Sequence, residues 1–175
     1  QILKVYNAAL RFMKRAADTA ALRGKTEMAA SLLRLTNNAP SNLFEALQTS
    51  IIYYHLQQFF DGTYLRTLGR LDNLYYPYYA RENKNEADKL LLDYIKEIDR
   101  LKAPANIPFA LGGTDENGKC LINDLSYIWL DMYEKARTTN TKLHILCSEH
   151  TPKDLIRKAF RHIRGGNNSI VFMSD

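Results

Sequence analysis

Leu68–Tyr79 reads Leu-Gly-Arg-Leu-Asp-Asn-Leu-Tyr-Tyr-Pro-Tyr-Tyr. Four tyrosines fall within five positions around Pro77. A solvated surface rarely carries that density, because each ring has to cover apolar area while its hydroxyl finds a partner. Gly69 admits a backbone turn that other residues avoid, and it sets Arg70 close to Asp72. Read locally, the stretch is an aromatic helix end that docks on a core. Twenty residues upstream stands Phe44-Glu45-Ala46-Leu47-Gln48, inside a segment with its own helix-start signal.

Working outward toward the N-terminus, helices dominate. Ile2, Val5, Tyr6, Ala9, Leu10, Met13, Ala16 and Ala17 make an apolar stripe of helical period over residues 2–22. Arg23-Gly24-Lys25 punctuates it, and a second helix over Thr26–Thr36 ends at Asn37-Asn38-Ala39-Pro40. Asn42 with Glu45 three residues on is a capping box opening a long helix to about Phe60. Asp61-Gly62-Thr63 breaks that helix. After the tyrosines, Ala87, Leu91, Tyr94, Ile98 and Leu101 define an amphipathic helix with a charged outer face.

Toward the C-terminus the pattern changes to alternating strand and helix. Ile107–Leu111, Leu143–Cys147 and Ser169–Met173 are short apolar runs of strand length. Leu125, Trp129, Met132 and Ala136 line one face of a helix between the first two. Thr151-Pro152-Lys153-Asp154 opens another between the last two, with a capping hydroxyl, a first-turn proline and an acid. Gly165-Gly166 stops it. Strands joined by crossover helices pair in parallel. The expected fold class is α/β, with a helical part over 1–102 followed by β-α-β-α-β over 103–175. Three parallel strands alone leave open edges, so residues 1–175 are read as an internal fragment of one larger domain. The absence of an initiator methionine and the strand-like C-terminus point the same way.

Composition narrows the function classes. With 46% hydrophobic and 25% charged residues the chain is that of a folded protein. No apolar run reaches the roughly 18–20 residues of a membrane span. The formal charge of +5 is modest, with Lys and Arg interspersed among Asp and Glu as in Lys84–Arg100. No nucleic-acid partner is expected on that pattern, and no membrane partner. Cys120 and Cys147 do not make a disulfide framework and fit a reducing cytosol.

An E-A-L-Q helix followed by L-G-R-x-D-[QN]-x-x-Y-P-Y-Y resembles the glycyl radical enzymes, the pyruvate formate-lyase-like family. Four further blocks extend the resemblance in order: Asn38-Ala39-Pro40 leading into Gln48; Leu111-Gly112-Gly113-Thr114-Asp115 with Asp124-Leu125-Ser126-Tyr127; Leu143–Pro152; and Ser169–Asp175. The D-N-x-x-Y-P-Y-Y string places the chain nearer the glycerol and diol dehydratase and decarboxylase branch. The resemblance implies a share of a ten-stranded α/β barrel, in which this chain supplies early strands and the helices around them. It further implies a cytoplasmic, anaerobic lyase of the formate C-acetyltransferase or dehydratase type. A protein glycyl radical would be installed by an activase that uses S-adenosylmethionine and an iron–sulfur cluster. The implied partners are the rest of the barrel with the radical-glycine domain, the activating enzyme, a small-molecule substrate and a second copy in a homodimer.

The family's working residues are a cysteine on one loop, commonly written C-x-E in the dehydratase and decarboxylase members, and an R-V-x-G-[FYW] stretch. The second is absent from this sequence, where Arg164-Gly165-Gly166 reads as a helix stop. Cys147-Ser148-Glu149 has the letters of the first but aligns with the strand before the cysteine loop, so Cys147 is expected to be a strand-end core residue. No catalytic residue is therefore assigned. His144, Cys147 and His150 are close in sequence, yet side chains three apart on a strand point to opposite faces, so no metal site is expected. His55 reads as a packed or surface histidine. In the family, the residues five and six positions before the arginine of L-G-R meet substrate, which by position are Leu65 and Tyr64. A His-Ser pair stands there in the diol-dehydratase-like members. Tyr64-Leu65 cannot make that pair of hydrogen bonds and suits a less polar or aromatic substrate, or one held by a single acceptor. Asn106 and Phe109, on the strand leading to Gly112-Gly113, are substrate-wall candidates on the same argument. Arg70 and Asp72 are expected to be structural, the guanidinium bracing the loop and the tyrosines. The chain itself is expected to be scaffold and part of a substrate wall, inactive alone. The alternative is a non-catalytic helical interaction module or a degenerate homologue.

Overall fold

The computed structural model of the protein describes residues 2–62, 66–101 and 106–175. The chain divides into two compact units, one up to Phe60 and one from Asp61 onward. The boundary falls where the long helix ends, well before the change from helical to strand–helix sequence.

The first unit is helical. Helix α1 (Ile2–Leu22) buries Ala9, Met13, Ala17 and Ala20, and it packs on α2 (Thr26–Leu35). The expected stripe is therefore right from Ala9 onward, while Ile2, Val5 and Tyr6 at its start are exposed. Gly24 turns the chain between the two helices at a φ of +70°, a backbone state that costs glycine little. Helix α3 (Leu43–Asp61) starts as the sequence predicts, with the Glu45 N–H donating to Asn42 Oδ1 at 2.9 Å. The reciprocal half of the cap is displaced by one residue. The Glu45 carboxylate accepts from the Ser41 N–H and hydroxyl, each at 2.8 Å, and from the Arg34 guanidinium.

The second unit holds helices α4 (Leu71–Tyr79) and α5 (Lys84–Arg100), then β1 (Ile107–Gly112), α6 (Asp124–Ala136), β2 (Thr141–Cys147), α7 (Lys153–Arg164) and β3 (Ile170–Ser174). The strands form one parallel sheet in the order β1-β2-β3, with Phe109 opposite Leu143 and Leu143 opposite Ile170. Parallel pairing through α6 and α7 is what the apolar runs predict. One side of the sheet carries Ile107, Phe109 and Leu111 with Leu143 and Ile145, all fully buried. Trp129 and Tyr133 of α6 pack on it, each 5.7 Å from the Phe109 ring. Tyr75 and Tyr94 close the cluster at 6.3 and 5.9 Å from Trp129.

That cluster explains half of the tyrosine motif. Tyr75 and Tyr79, one helical turn apart, are buried, whereas Tyr76 is exposed and Tyr78 half-buried. A nine-residue helix has one buried face, so it cannot sink four adjacent rings. The start of α7 also differs from expectation. The Thr151 hydroxyl accepts from the Ser148 N–H at 2.9 Å and closes the preceding turn, so Pro152 occupies the cap position without a side-chain cap bond.

Candidate functional site

The carboxyl ends of the three strands converge on one set of polar groups, and the tyrosine motif supplies its base. Gly69, at a φ of +85°, lets the segment Leu68–Arg70 run alongside β1. The Leu68 N–H donates to the Pro108 carbonyl at 2.9 Å, and the Ala110 N–H to the Gly69 carbonyl at 2.8 Å. The outer edge of β1 is thereby paired rather than left open.

Asp72, in the first turn of α4, is fully buried. Its carboxylate accepts from the Gly112 N–H at 2.8 Å, the Ser126 hydroxyl at 2.5 Å, and the Asn73 N–H and side-chain amide at 2.9 Å each. Burial pushes its pKa above the ordinary aspartate value, against the pull of those four donors. One side chain thus joins the start of α4, the end of β1 and the start of α6. Ser126 in turn completes a capping box with Asn123, whose N–H donates to its hydroxyl oxygen at 3.0 Å. At Gly112 the strand turns away with a φ of +76°, and a Cβ there would lie 2.4 Å from Ile122 Cδ1.

Above this base sits an exposed layer. Arg70 Nη1 donates to the Thr114 carbonyl at 3.1 Å. The Asp175 carboxylate accepts from the Thr114 N–H at 2.5 Å and its hydroxyl at 2.6 Å. These bonds and the nearby Arg70 charge hold the Asp175 carboxyl below the usual range. The Asp175 N–H donates to the Cys147 carbonyl at 3.1 Å. Gly113, at a φ of +85°, leaves the space between Arg70 and Asp175 where a Cβ would stand 2.9 Å from the guanidinium. The arrangement fixes the turn after β1 and the last residue after β3 to a common frame. Among the described residues no cluster of histidine, cysteine and carboxylate could hold a metal.

The model of the family described as "Pyruvate formate lyase-like" matches residues 3–175. The chain belongs to that pyruvate formate lyase-like family. It is 24% identical over 159 residues to (2S)-3-sulfopropanediol dehydratase of Klebsiella oxytoca, covering 79% of this chain and 19% of that protein. A glycyl radical enzyme from Archaeoglobus fulgidus superposes with a TM-score of 0.76 at 19% identity, over 97% of this chain and 25% of its own. The glycerol-bound form of the B12-independent glycerol dehydratase from Clostridium butyricum gives 0.77 at 19% identity, over 97% of this chain and 24% of its own. The chain thus spans about a fifth of the length of the curated relative and about a quarter of each of these structures.

Within this family frame the expected residues separate. Tyr64 and Leu65 lie outside the described residues. Asn106 is exposed just before β1, at the amino end of the strand, away from the polar set at its carboxyl end. Phe109 is corrected: its ring is fully buried against Trp129 and Tyr133, on the helix side of the sheet, and is spent on the core. Of the two residues expected to be structural, Asp72 makes the buried bonds, while the Arg70 guanidinium reaches the Thr114 carbonyl in the exposed layer. Cys147 is half-buried at the end of β2, its thiol pushed up by burial and donating weakly to the Ile145 carbonyl at 3.5 Å. Glu149 is exposed, 3.5 Å from the His150 ring nitrogen. His144 lies on the opposite sheet face from Cys147, between Ala110 and Val171. Ser126, Thr114 and Asp175 were not singled out from sequence. Each lies within one of the ordered family blocks, and the Asn123–Ser126 spacing also carries the signal of a helix cap.

Proposed function

We propose that the chain is scaffold and part of the substrate wall of a glycyl radical lyase of the dehydratase branch. Its three strands would be early strands of the ten-stranded barrel. The observation that carries the reading is the Asp72 junction: one buried carboxylate ties the tyrosine helix, the Gly112 turn and the α6 cap into a frame. That frame anchors the segment Leu68–Arg70, into which Tyr64 and Leu65 lead. A phenol and a leucine would present one hydroxyl and an apolar surface, so the substrate would be less polar than a triol, or held by a single acceptor. In this reading the wall is carried by Tyr64 and Leu65, without Asn106 and Phe109.

The radical glycine belongs to other parts of such an enzyme, and so would the working cysteine. Arg164-Gly165-Gly166 here closes α7, with Gly166 at a φ of +98°. When present, the protein radical supplies hydrogen abstraction from a substrate carbon. The share of these residues is to fix the strand ends and to shape one side of the cavity. An activase, the remaining barrel and a cytoplasmic setting follow from the same reading. The test is turnover in the whole activated polypeptide with a set of diols and less polar hydroxylated compounds. Tyr64→Phe is expected to change turnover or substrate choice with folding nearly unchanged, because only a hydroxyl is lost. Unchanged turnover for every accepted substrate would remove Tyr64 from the wall.

A further inference from the structure

Charge in the second unit is segregated onto one helix. Residues 61–175 contain 17 Lys and Arg against 16 Asp and Glu. Helix α7 alone holds Lys153, Arg157, Lys158, Arg161 and Arg164 against the single carboxylate Asp154, a net +4. At 3.6 residues per turn, Lys153, Arg157, Arg161 and Arg164 fall within an arc of about 100°, opposite the buried Leu155 and Ala159, and they span about 16 Å of helix. All four are exposed, and none of them enters an ion pair among the described residues. Lys158, outside the arc, is neutralised by Asp131 at 2.6 Å, and Asp154 at its margin accepts from the Tyr127 hydroxyl. Phe160 flanks the arc, 51% exposed, its ring 5.0 Å from Phe172. The interspersed charge expected from sequence is thus corrected by the helical period.

We propose that this outer face of α7 docks an acidic helix of another protein. Unpaired like charges four, four and three residues apart repel one another, and facing carboxylates at helical spacing relieve that cost. Arginines around a half-exposed aromatic ring match the composition of protein interfaces. A single-stranded nucleic acid is disfavoured, since base stacking needs open ring faces and one face of Phe160 is taken by Phe172. A lipid surface is disfavoured because Leu155 and Ala159, the apolar side of α7, are buried instead of facing outward.

Fluorescence anisotropy with the 175-residue chain tests the proposal. The probe is a labelled 14-residue helical peptide with glutamates at spacings of four, four and three residues and one leucine. Its controls are a peptide of the same composition with the glutamates spread round the helix, a single-stranded oligonucleotide, and phosphatidylcholine–phosphatidylserine vesicles. The matched peptide is expected to bind tighter than all three. Its affinity is expected to fall on the order of tenfold or more in Arg157→Glu/Arg161→Glu, the sum of two reversed charge pairs, and severalfold in Arg157→Gln/Arg161→Gln. Circular dichroism checks that both variants keep the fold, and the glutamine variant carries the test if the reversed one does not. No binding, equal binding of the two peptides, tighter binding of the oligonucleotide or vesicles, or unchanged affinity in a folded variant would each overturn it.

Discussion

Asp72 and Arg70 stand two positions apart in one motif and do different work. Asp72→Ala would strand the buried Gly112 N–H and Ser126 hydroxyl, each orphaned buried group costing about 1–3 kcal/mol. Urea denaturation of the chain is expected to show a loss of about 3 kcal/mol or more. Arg70→Ala removes one exposed hydrogen bond, and a loss under about 1 kcal/mol is expected in the same measurement. Equal losses would return the bracing role to the arginine. The L-G-R-x-D order was legible in sequence, but the partition was not. Whether a carboxylate is buried depends on Gly112 and Ser126, 40 and 54 residues away, and no local pattern encodes that meeting. Phe109 shows the same limit. The short apolar run around it marked a strand, while which face the helices cover is decided by α6. Phe109→Ala is expected to cost about 3–5 kcal/mol of stability, as for a buried aromatic ring removed from a core. A stability close to that of the parent chain would move the ring out of the core.

At the level of elements, α6 and α7 meet through a titrating contact. His162 Nδ1 lies 3.5 Å from Glu134 Oε2 and Nε2 lies 3.8 Å from Asp131 Oδ1, with Lys158 and Arg161 on its own helix. Burial is the largest influence and lowers its pKa below the ordinary histidine value, against the two carboxylates. The unfolded chain therefore takes up this proton at higher pH than the folded one. Stability from this group is present above about pH 6.5 and is lost as pH falls through the folded value. Thermal melts between pH 7.5 and 5 are expected to show a falling midpoint, and His162→Asn a shallower fall. A steeper fall in the variant would reverse the sign. The strands, their crossover helices and their parallel pairing were all legible from apolar runs and turn signals. The displaced caps at Glu45 and Thr151 were not, because a hydroxyl or carboxylate near a helix start has several donors within reach, and the tertiary neighbour chooses among them. For Glu45 that neighbour is Arg34; for Thr151 it is the turn from Ser148.

For the whole molecule, membership of the pyruvate formate lyase-like family rests on the ordered blocks as much as on the fold. The matched relatives are four to five times longer, and residues 1–175 contain no R-V-x-G stretch. The proposed function puts frame and wall in these residues and the radical chemistry elsewhere in the enzyme. Electron paramagnetic resonance after anaerobic incubation with an activase and S-adenosylmethionine tests that division directly. The polypeptide encoded with its adjoining sequence is expected to give a glycyl doublet, and the 175-residue chain alone to give none. A doublet from the 175 residues, or its absence from the whole polypeptide, would contradict the account.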